Sequence, residues 1–343
     1  MKIALDATYS VGEALSGVGV YSREILRGLA TAHPEARFRW CYRPHRLLRS
    51  FKEKLPSNAA RRVLSYSRTP GGDLFHALNQ RVEIPRGLPV VTTFHDLFVL
   101  TAEYSSPEFR ARFAEQARRA AERSDIIIAV SRFTADQVRD LLGVDEKRLR
   151  VIPHGTHPPS PSPVPDAERE NLVLLVGAIQ TRKNLVRLID AFESLDPSWR
   201  LVLAGSQGFG SEAVVARATA RVEIAGYVDA ARLEGLYRRA RIVAFPSLDE
   251  GFGIPVIEAM ARGVPVLTSN GSALREVAGD AALLVDPLNT ESIANGLRQL
   301  ASDEALRQRL RAAGLARASE FTWDRAVDAT WQVYGNLLTR SAR

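Results

Sequence analysis

A chain of 343 residues exceeds what one hydrophobic core usually organises, so two domains are expected. Its 45% apolar and 25% charged residues are those of a soluble globular protein, and its single cysteine, Cys41, excludes an intramolecular disulfide framework and a cysteine-rich zinc site. No apolar run approaches the roughly 18 residues of a spanning helix, and the opening MKIALDATYS lacks a signal peptide's apolar core, so a cytoplasmic protein is expected. The net charge of +7 is unevenly placed: residues 1–165 carry 25 Lys and Arg against 17 Asp and Glu, and residues 166–343 carry 21 against 22. The surplus belongs to the first half, where one face should attract an anion. After Lys147, Lys183 is the one remaining lysine in the chain.

In the first half, short apolar runs at Ile3–Ala7, Phe38–Tyr42, Leu74–Leu78, Val90–Phe94 and Ile126–Val130 have parallel-strand character. Helical patterns at Tyr21–Ala30 and Glu108–Arg123 alternate with them, which predicts a doubly wound α/β sheet. Ligands bind at the carboxyl ends of such strands. After the first strand, Gly17-Val18-Gly19-Val20-Tyr21 opens a helix that either presents N–H groups to a phosphate or simply follows a flexible loop. A full dinucleotide fingerprint and a Walker A pattern are both absent.

Residues 37–68 hold ten basic side chains and one acidic one, Glu53. Leu47, Leu48, Phe51 and Leu55 fall on one helical face with Arg46, Arg49 and Lys52 around them. Such a helix either lies on an anionic membrane surface or packs on the core with a solvated basic rim. No nucleic-acid-binding module is recognisable, so no nucleic-acid partner is expected. The strand Val90–Phe94 ends in His95-Asp96, and a later one ends at Ser131-Arg132, which opens the helix Phe133–Leu142. Both ends fall where a ligand is expected.

The six prolines of Pro153–Pro165, PHGTHPPSPSPVP, predict a linker. Strand and helix patterns then restart: strands Leu172–Val176, Leu201–Ala204, Val222–Ala225, Arg241–Phe245 and Ala282–Val285, and helices Asn184–Ser194 and Ala230–Ala240. Arg182 and Lys183 precede Asn184 at a helix start, where the macrodipole disfavours cations. A bound diphosphate would reverse that mismatch.

The most informative stretch is FPSLDEGFGIPVIEAMARGVPV, residues 245–266. Pro255 suits the first turn of a helix and Gly263 its end. Gly251-Phe252-Gly253 brings backbone close to a ligand, and the N–H groups at the helix start suit an anion. Glu250 and Glu258 supply carboxylates that accept hydrogen bonds from diols. Phosphates at one end and hydroxyls at the other describe a sugar nucleotide. Near the terminus, Trp331, Tyr334 and Leu338 lie at helical spacing, a packing face.

These segments together resemble retaining glycosyltransferases of the GT-B fold, specifically the large family 4, group 1, of hexosyl- and mannosyl-transferring type. The Glu, seven residues, Glu spacing of SLDEGFGIPVIEAMARGVPV is the most specific match. SGVGVYSREIL, TFHDL, AVSRFTA, VIPHGT, VGAIQTRKNL and the late FTW support it in the family's order. The resemblance implies two doubly wound Rossmann-like domains facing a cleft. Residues 1–152 would bind the acceptor, 153–170 would link, and 171–320 would bind the nucleotide sugar. The last segment, 321–343, would be a helix crossing back onto the first domain.

By the same resemblance, Arg182 and Lys183 contact the diphosphate and Glu258 holds the ribose hydroxyls. Glu250 and the backbone of Gly251, Phe252 and Gly253 lie against the donor sugar and its phosphate. His95 reaches the transferred sugar, Gly17 and Gly19 cap the diphosphate, and Gly226, Tyr227 and Val228 line the base pocket. Asp96 and Ser131 are acceptor-side candidates. Many members carry an arginine after the glycine that ends the donor domain's first strand; here that position is Ala178.

No Asp-x-Asp pair occurs, so transfer without a metal or other cofactor is expected, with protein cations neutralising the leaving group. GDP-mannose is the favoured donor and a glycan or lipid-linked hydroxyl the acceptor, with residues 37–68 as a peripheral docking surface on the inner membrane face. Retention comes from the resemblance, and attack on the face of departure is favoured over a covalent intermediate on Glu250. A non-catalytic nucleotide-sugar-binding protein and a GT-B epimerase are the alternatives.

Overall fold

A computed structural model describes residues 1–157 and 164–341. The middle of the proline-rich segment, 158–163, lies outside the described residues. The chain divides into two compact units, Met1–Thr101 with Ser106–Gly155 and Trp323–Arg343, and Ala102–Ser105 with Thr156–Thr322.

The first unit is a seven-stranded sheet of β1 (Lys2–Asp6), β2 (Arg37–Tyr42), β3 (Ala59–Val63), β4 (Leu74–Ala77), β5 (Val90–Phe94), β6 (Ile126–Ala129) and β7 (Leu149–Val151), in the order β3-β2-β1-β4-β5-β6-β7. All six pairings are parallel. Side chains alternate between two cores, as the period of a strand requires when helices cover both faces. Ile3, Leu5, Phe38, Trp40, Leu74, Val91, Ile126 and Ile128 face one core with the helix Gly17–Ala32. Ala4, Cys41, Phe75, Val90 and Ile127 face the other, with Ala117, Ala120 and Val138 from the helices Pro107–Arg123 and Arg132–Leu142. The final helix, Trp323–Ser341, belongs to the first of these cores through Trp323, Val327 and fully buried Tyr334, with Trp331 and Leu338 packed alongside.

The second unit repeats the plan with β8 (Glu170–Val176), β9 (Arg200–Ala204), β10 (Val222–Gly226), β11 (Ala240–Phe245), β12 (Val266–Ser269) and β13 (Leu283–Val285), ordered β10-β9-β8-β11-β12-β13 and all parallel. Strand order reverses beside β1 in one unit and beside β8 in the other, and there the loops after β1 and β4, or after β8 and β11, diverge and leave a crevice. The chain enters and leaves this unit side by side, with Thr156 bridging to Thr322 and its N–H donating to the Phe321 carbonyl at 3.0 Å.

The reading of residues 37–68 is corrected. The helix there is Pro44–Ser50, and the following segment is drawn into the sheet as β3, paired to β2 from Phe38–Ala59 to Tyr42–Val63. Leu47 and Leu55 pack on the core, whereas Leu48 is 81% and Phe51 64% exposed, so the four do not share a buried face. The edge strands β3 and β7 escaped the sequence reading because AARRV and LRV carry arginines, the polar marks of a sheet edge. The helix Ser211–Arg217 also went unread. Among the described residues, no helix is long and apolar enough to cross a membrane.

Candidate functional site

In the second unit the crevice is built from the loops after β8 and β11. Gly177, at a φ of +138°, ends β8, and a 3-10 turn Thr181–Lys183 follows. Asn184 takes a left-handed φ of +61° between this turn and the helix Leu185–Phe192, a conformation asparagine tolerates better than most residues. Its side-chain amide donates to the carbonyls of Pro246, at 3.0 Å, and Pro287, at 2.6 Å. The turn is thereby tied to the end of β11. The Leu248 N–H donates to the Arg182 carbonyl at 2.8 Å, and Arg182 Nη1 donates to the Asp249 carbonyl at 3.0 Å.

Both cations converge on one carboxylate. Lys183 Nζ donates to Glu250 Oε1 at 2.5 Å, and Arg182 Nη1 lies 2.8 Å from Glu250 Oε2. Lys183 is 6% and Glu250 7% exposed, and Nζ also lies 4.4 Å from the centre of the Phe245 ring. Burial pushes the Glu250 carboxyl up, but Arg182 and Lys183 more than offset it and hold it at about 2. The sequence reading left these two cations waiting for an external anion. In the structure both pair with Glu250, a partner that reading did not assign them.

Gly253, at a φ of +103°, precedes the helix Ile254–Ala261, with Pro255 in the first turn. That φ favours glycine, and a Cβ there would lie 2.6 Å from Leu274 Cδ2, whose tip would have to move. Gly251 and Phe252 are buried, and Phe252 meets Phe321 edge-on at 5.6 Å. Within the helix, Glu258 Oε2 accepts from Tyr237 Oη at 3.0 Å. Burial raises the Glu258 carboxyl, against Arg262 and the Tyr237 hydrogen bond, which lower it. Gly226, at a φ of +66°, ends the edge strand β10, beside half-exposed Tyr227 and partly buried Val228.

In the first unit, Ser16 caps the helix Gly17–Ala32 by accepting from the Gly19 N–H at 3.3 Å, which places Gly17 and Gly19 in its first turn. Tyr21, one turn on, lies edge-on to His95 at 4.8 Å. His95 is 6% exposed; its Nε2 is 2.8 Å from the Leu78 carbonyl and therefore carries the proton. Its Nδ1 faces His154 Nε2 at 3.4 Å, the two rings stacked at 5.3 Å. Burial lowers His95 to about 4, and burial together with His95 lowers His154 well below the ordinary histidine value, so both are neutral at pH 7. Asp96 is half-buried beside His95 in the chain. Ser131, 1% exposed, caps the helix Arg132–Leu142 by accepting from the Thr134 N–H at 3.0 Å.

The structure thus joins Arg182, Lys183 and Glu250 directly. It adds Asn184, Tyr237 and His154, which sequence reasoning did not single out. His154 was visible inside VIPHGT and Asn184 inside TRKNL, but nothing local marks Tyr237. Its partner, Glu258, is 21 residues away.

Residues 160–317 match the family model for glycosyl transferases group 1, and residues 15–158 match that for glycosyltransferase family 4. O-antigen chain mannosyltransferase B of Escherichia coli is 29% identical, the alignment covering 97% of this chain and 99% of that protein. D-inositol 3-phosphate glycosyltransferase of Xylanimonas cellulosilytica is 32% identical over 74% of this chain and 67% of that protein. Among solved structures, sucrose-phosphate synthase from Thermosynechococcus elongatus superimposes with a TM-score of 0.80 at 22% identity, over 99% of this chain and 100% of that one.

Proposed function

The chain belongs to glycosyltransferase family 4, group 1, and from that premise we propose that it moves a hexose, mannose foremost, from a nucleoside diphosphate sugar to a hydroxyl of a glycan or lipid-linked acceptor. The observation that carries the reading is the convergence of Arg182 and Lys183 on Glu250 at the carboxyl ends of β8 and β11. A diphosphate entering there displaces the carboxylate from its two cations. Glu250, released, then faces the hydroxyls of the sugar. The Glu258 carboxylate, oriented by Tyr237, accepts from the ribose diol.

The chemical problem is departure of a diphosphate while a weak nucleophile attacks. Lys183, Arg182 and the N–H groups at the start of Ile254–Ala261 stabilise the charge that develops on the leaving oxygens, an effect worth several kcal/mol when preorganised. Cations supplied by the chain do the work a divalent metal does elsewhere, which supports metal-independent transfer. In the proposed retaining route the acceptor attacks on the face of departure, and the leaving phosphate oxygen takes its proton. Neutral His95, its Nε2 proton held by the Leu78 carbonyl, orients the sugar rather than acting as a charged acid. A peripheral site of action on the cytoplasmic membrane face is supported by exposed Leu48 and Phe51 among Arg46, Arg49, Lys52 and Lys54.

A thermal-shift panel of GDP, UDP and dTDP tests the donor site, because a ligand present at 100 times its Kd stabilises by about 2.7 kcal/mol. GDP should give the largest shift. No shift with any of the three would remove the proposal. Proton NMR of the product reads the anomeric outcome, and full activity in EDTA is the expected result for the metal.

A further inference from the structure

Several buried polar side chains of the first unit lie at the carboxyl end of its sheet. Asp6 ends β1, Arg43 follows β2, Asn79 and Glu83 follow β4, and His95 follows β5, all at most 7% exposed. This end includes the reversal of strand order beside β1, where a ligand belongs. We propose that it holds an uncharged hexosyl terminus, with Asn79 and Gln80 as the residues that read its hydroxyls. The inference rests on the glycosyltransferase reading and narrows its acceptor to a neutral sugar rather than a sugar phosphate.

Charge decides the class of ligand. Arg43 Nε donates to Glu83 Oε2 at 2.5 Å while its Nη2 lies 3.3 Å from Asp6 Oδ2, and Arg81 pairs with the other Glu83 oxygen. Within this cluster two guanidinium groups therefore meet two carboxylates, which leaves it no surplus charge for a phosphate. His95 and His154 add no charge at neutral pH. In the second unit, by contrast, two cations face one carboxylate, and the surplus suits a diphosphate.

Hydrogen bonding points the same way. The side-chain oxygens Asn79 Oδ1 and Gln80 Oε1 are shut off from solvent and have no hydrogen-bond partner among the described residues. An unmet buried acceptor costs about 1–3 kcal/mol, relieved when the amide turns toward an O–H donor. Sugar hydroxyls supply such donors, whereas a phosphate dianion brings acceptors only. Leu78, next to Asn79 in the chain, already gives its carbonyl to His95, so the backbone that carries the amides is tied to the imidazole. The Arg43 guanidinium also lies 5.3 Å from the centre of the Tyr9 ring.

Saturation-transfer NMR on the full chain, with methyl α-D-mannopyranoside and mannose 6-phosphate as probes, tests this. The phosphate arm is repeated on Lys183→Ala combined with Arg182→Ala, which removes both donor-side cations. The neutral glycoside should bind the wild type, and mannose 6-phosphate should bind this double variant at least tenfold more weakly than the glycoside does. Asn79→Ala and Gln80→Ala should each weaken the glycoside at least tenfold while melting within about 2 °C of wild type, since an unpartnered oxygen has no bond to lose. Isosteric Asn79→Asp, which places a charge without changing volume, should weaken it as well. Absence of glycoside binding, a preference for the phosphate, or unchanged binding in Asn79→Ala and Asn79→Asp would overturn the inference. A GDP-induced thermal shift run in parallel separates the two levels: if it persists while glycoside binding fails, only the acceptor assignment falls.

Discussion

Glu250→Gln keeps the shape of the residue and removes its charge, leaving Arg182 and Lys183 without their anion. At 2.8 Å and an effective dielectric constant of about 20, one such pair is worth about 6 kcal/mol of Coulomb energy before desolvation. Breaking a buried pair from one side costs about 3–5 kcal/mol net, so the ligand-free variant should melt clearly below wild type. Diphosphate binding should move the other way. In wild type the incoming phosphates must displace a carboxylate whose two cations hold its pKa at about 2; in the variant they meet bare cations. We expect calorimetry with GDP to show at least tenfold tighter binding to Glu250→Gln, about 1.4 kcal/mol, together with a larger GDP-induced rise in Tm. Sugar transfer should nevertheless fall, because the carboxylate that faces the sugar hydroxyls is gone. GDP binding equal to or weaker than wild type would show that carboxylate and diphosphate do not compete for these cations, and the reasoning would fail.

Lys183→Ala should weaken GDP at least tenfold in the same calorimetry, and an unchanged affinity would remove the ammonium from the site. Tyr237→Phe deletes the hydroxyl that orients Glu258, so GDP affinity should drop severalfold while 2′-deoxy-GDP barely responds; equal losses would contradict a ribose role. His95 and His76 are lowered by burial to about 4 and about 3, so the unfolded chain binds more protons between those values and 6.5. Their contribution is complete well above pH 6.5 and shrinks as pH falls, by about 1.4 kcal/mol per imidazole at pH 5.5, whereas the contribution of Glu250 is retained at pH 5.5 and is lost only as pH falls below 4.5 toward about 2. A urea midpoint that is the same at pH 7 and 5.5 would refute this. Leu48→Glu with Phe51→Glu should abolish sedimentation with phosphatidylglycerol vesicles while leaving Tm within about 1 °C, because both side chains are largely exposed; sedimentation equal to wild type would rule out docking through this segment.

Much of the architecture can be read along the chain. Largely apolar runs marked five of the six strands of the second sheet and the five inner strands of the first, because a strand covered on both faces carries few polar residues to obscure it. Gly253, Pro255 and Gly263 mark a helix by backbone preference alone, and those preferences belong to single residues. The edge strands of the first sheet, β3 and β7, were hidden because an edge is partly solvated and tolerates arginine. Residues 37–68 misled for a related reason: helical periodicity over a few turns is weak, and the helix stops at Ser50 before the chain runs on into β3.

The chemistry of the site divides along the same line. Residue type and spacing along the chain singled out Arg182, Lys183, Glu250 and Glu258 as candidates, since a lysine before a helix and carboxylates around a glycine turn are local facts. Which charges meet was decided by the tertiary structure. Lys183 and Glu250 are 67 residues apart and become neighbours because β8 and β11 pair side by side at the reversal of strand order. A sequence supplies each loop with its functional groups, but a Coulomb interaction depends on distance, and the order of strands in the sheet sets that distance.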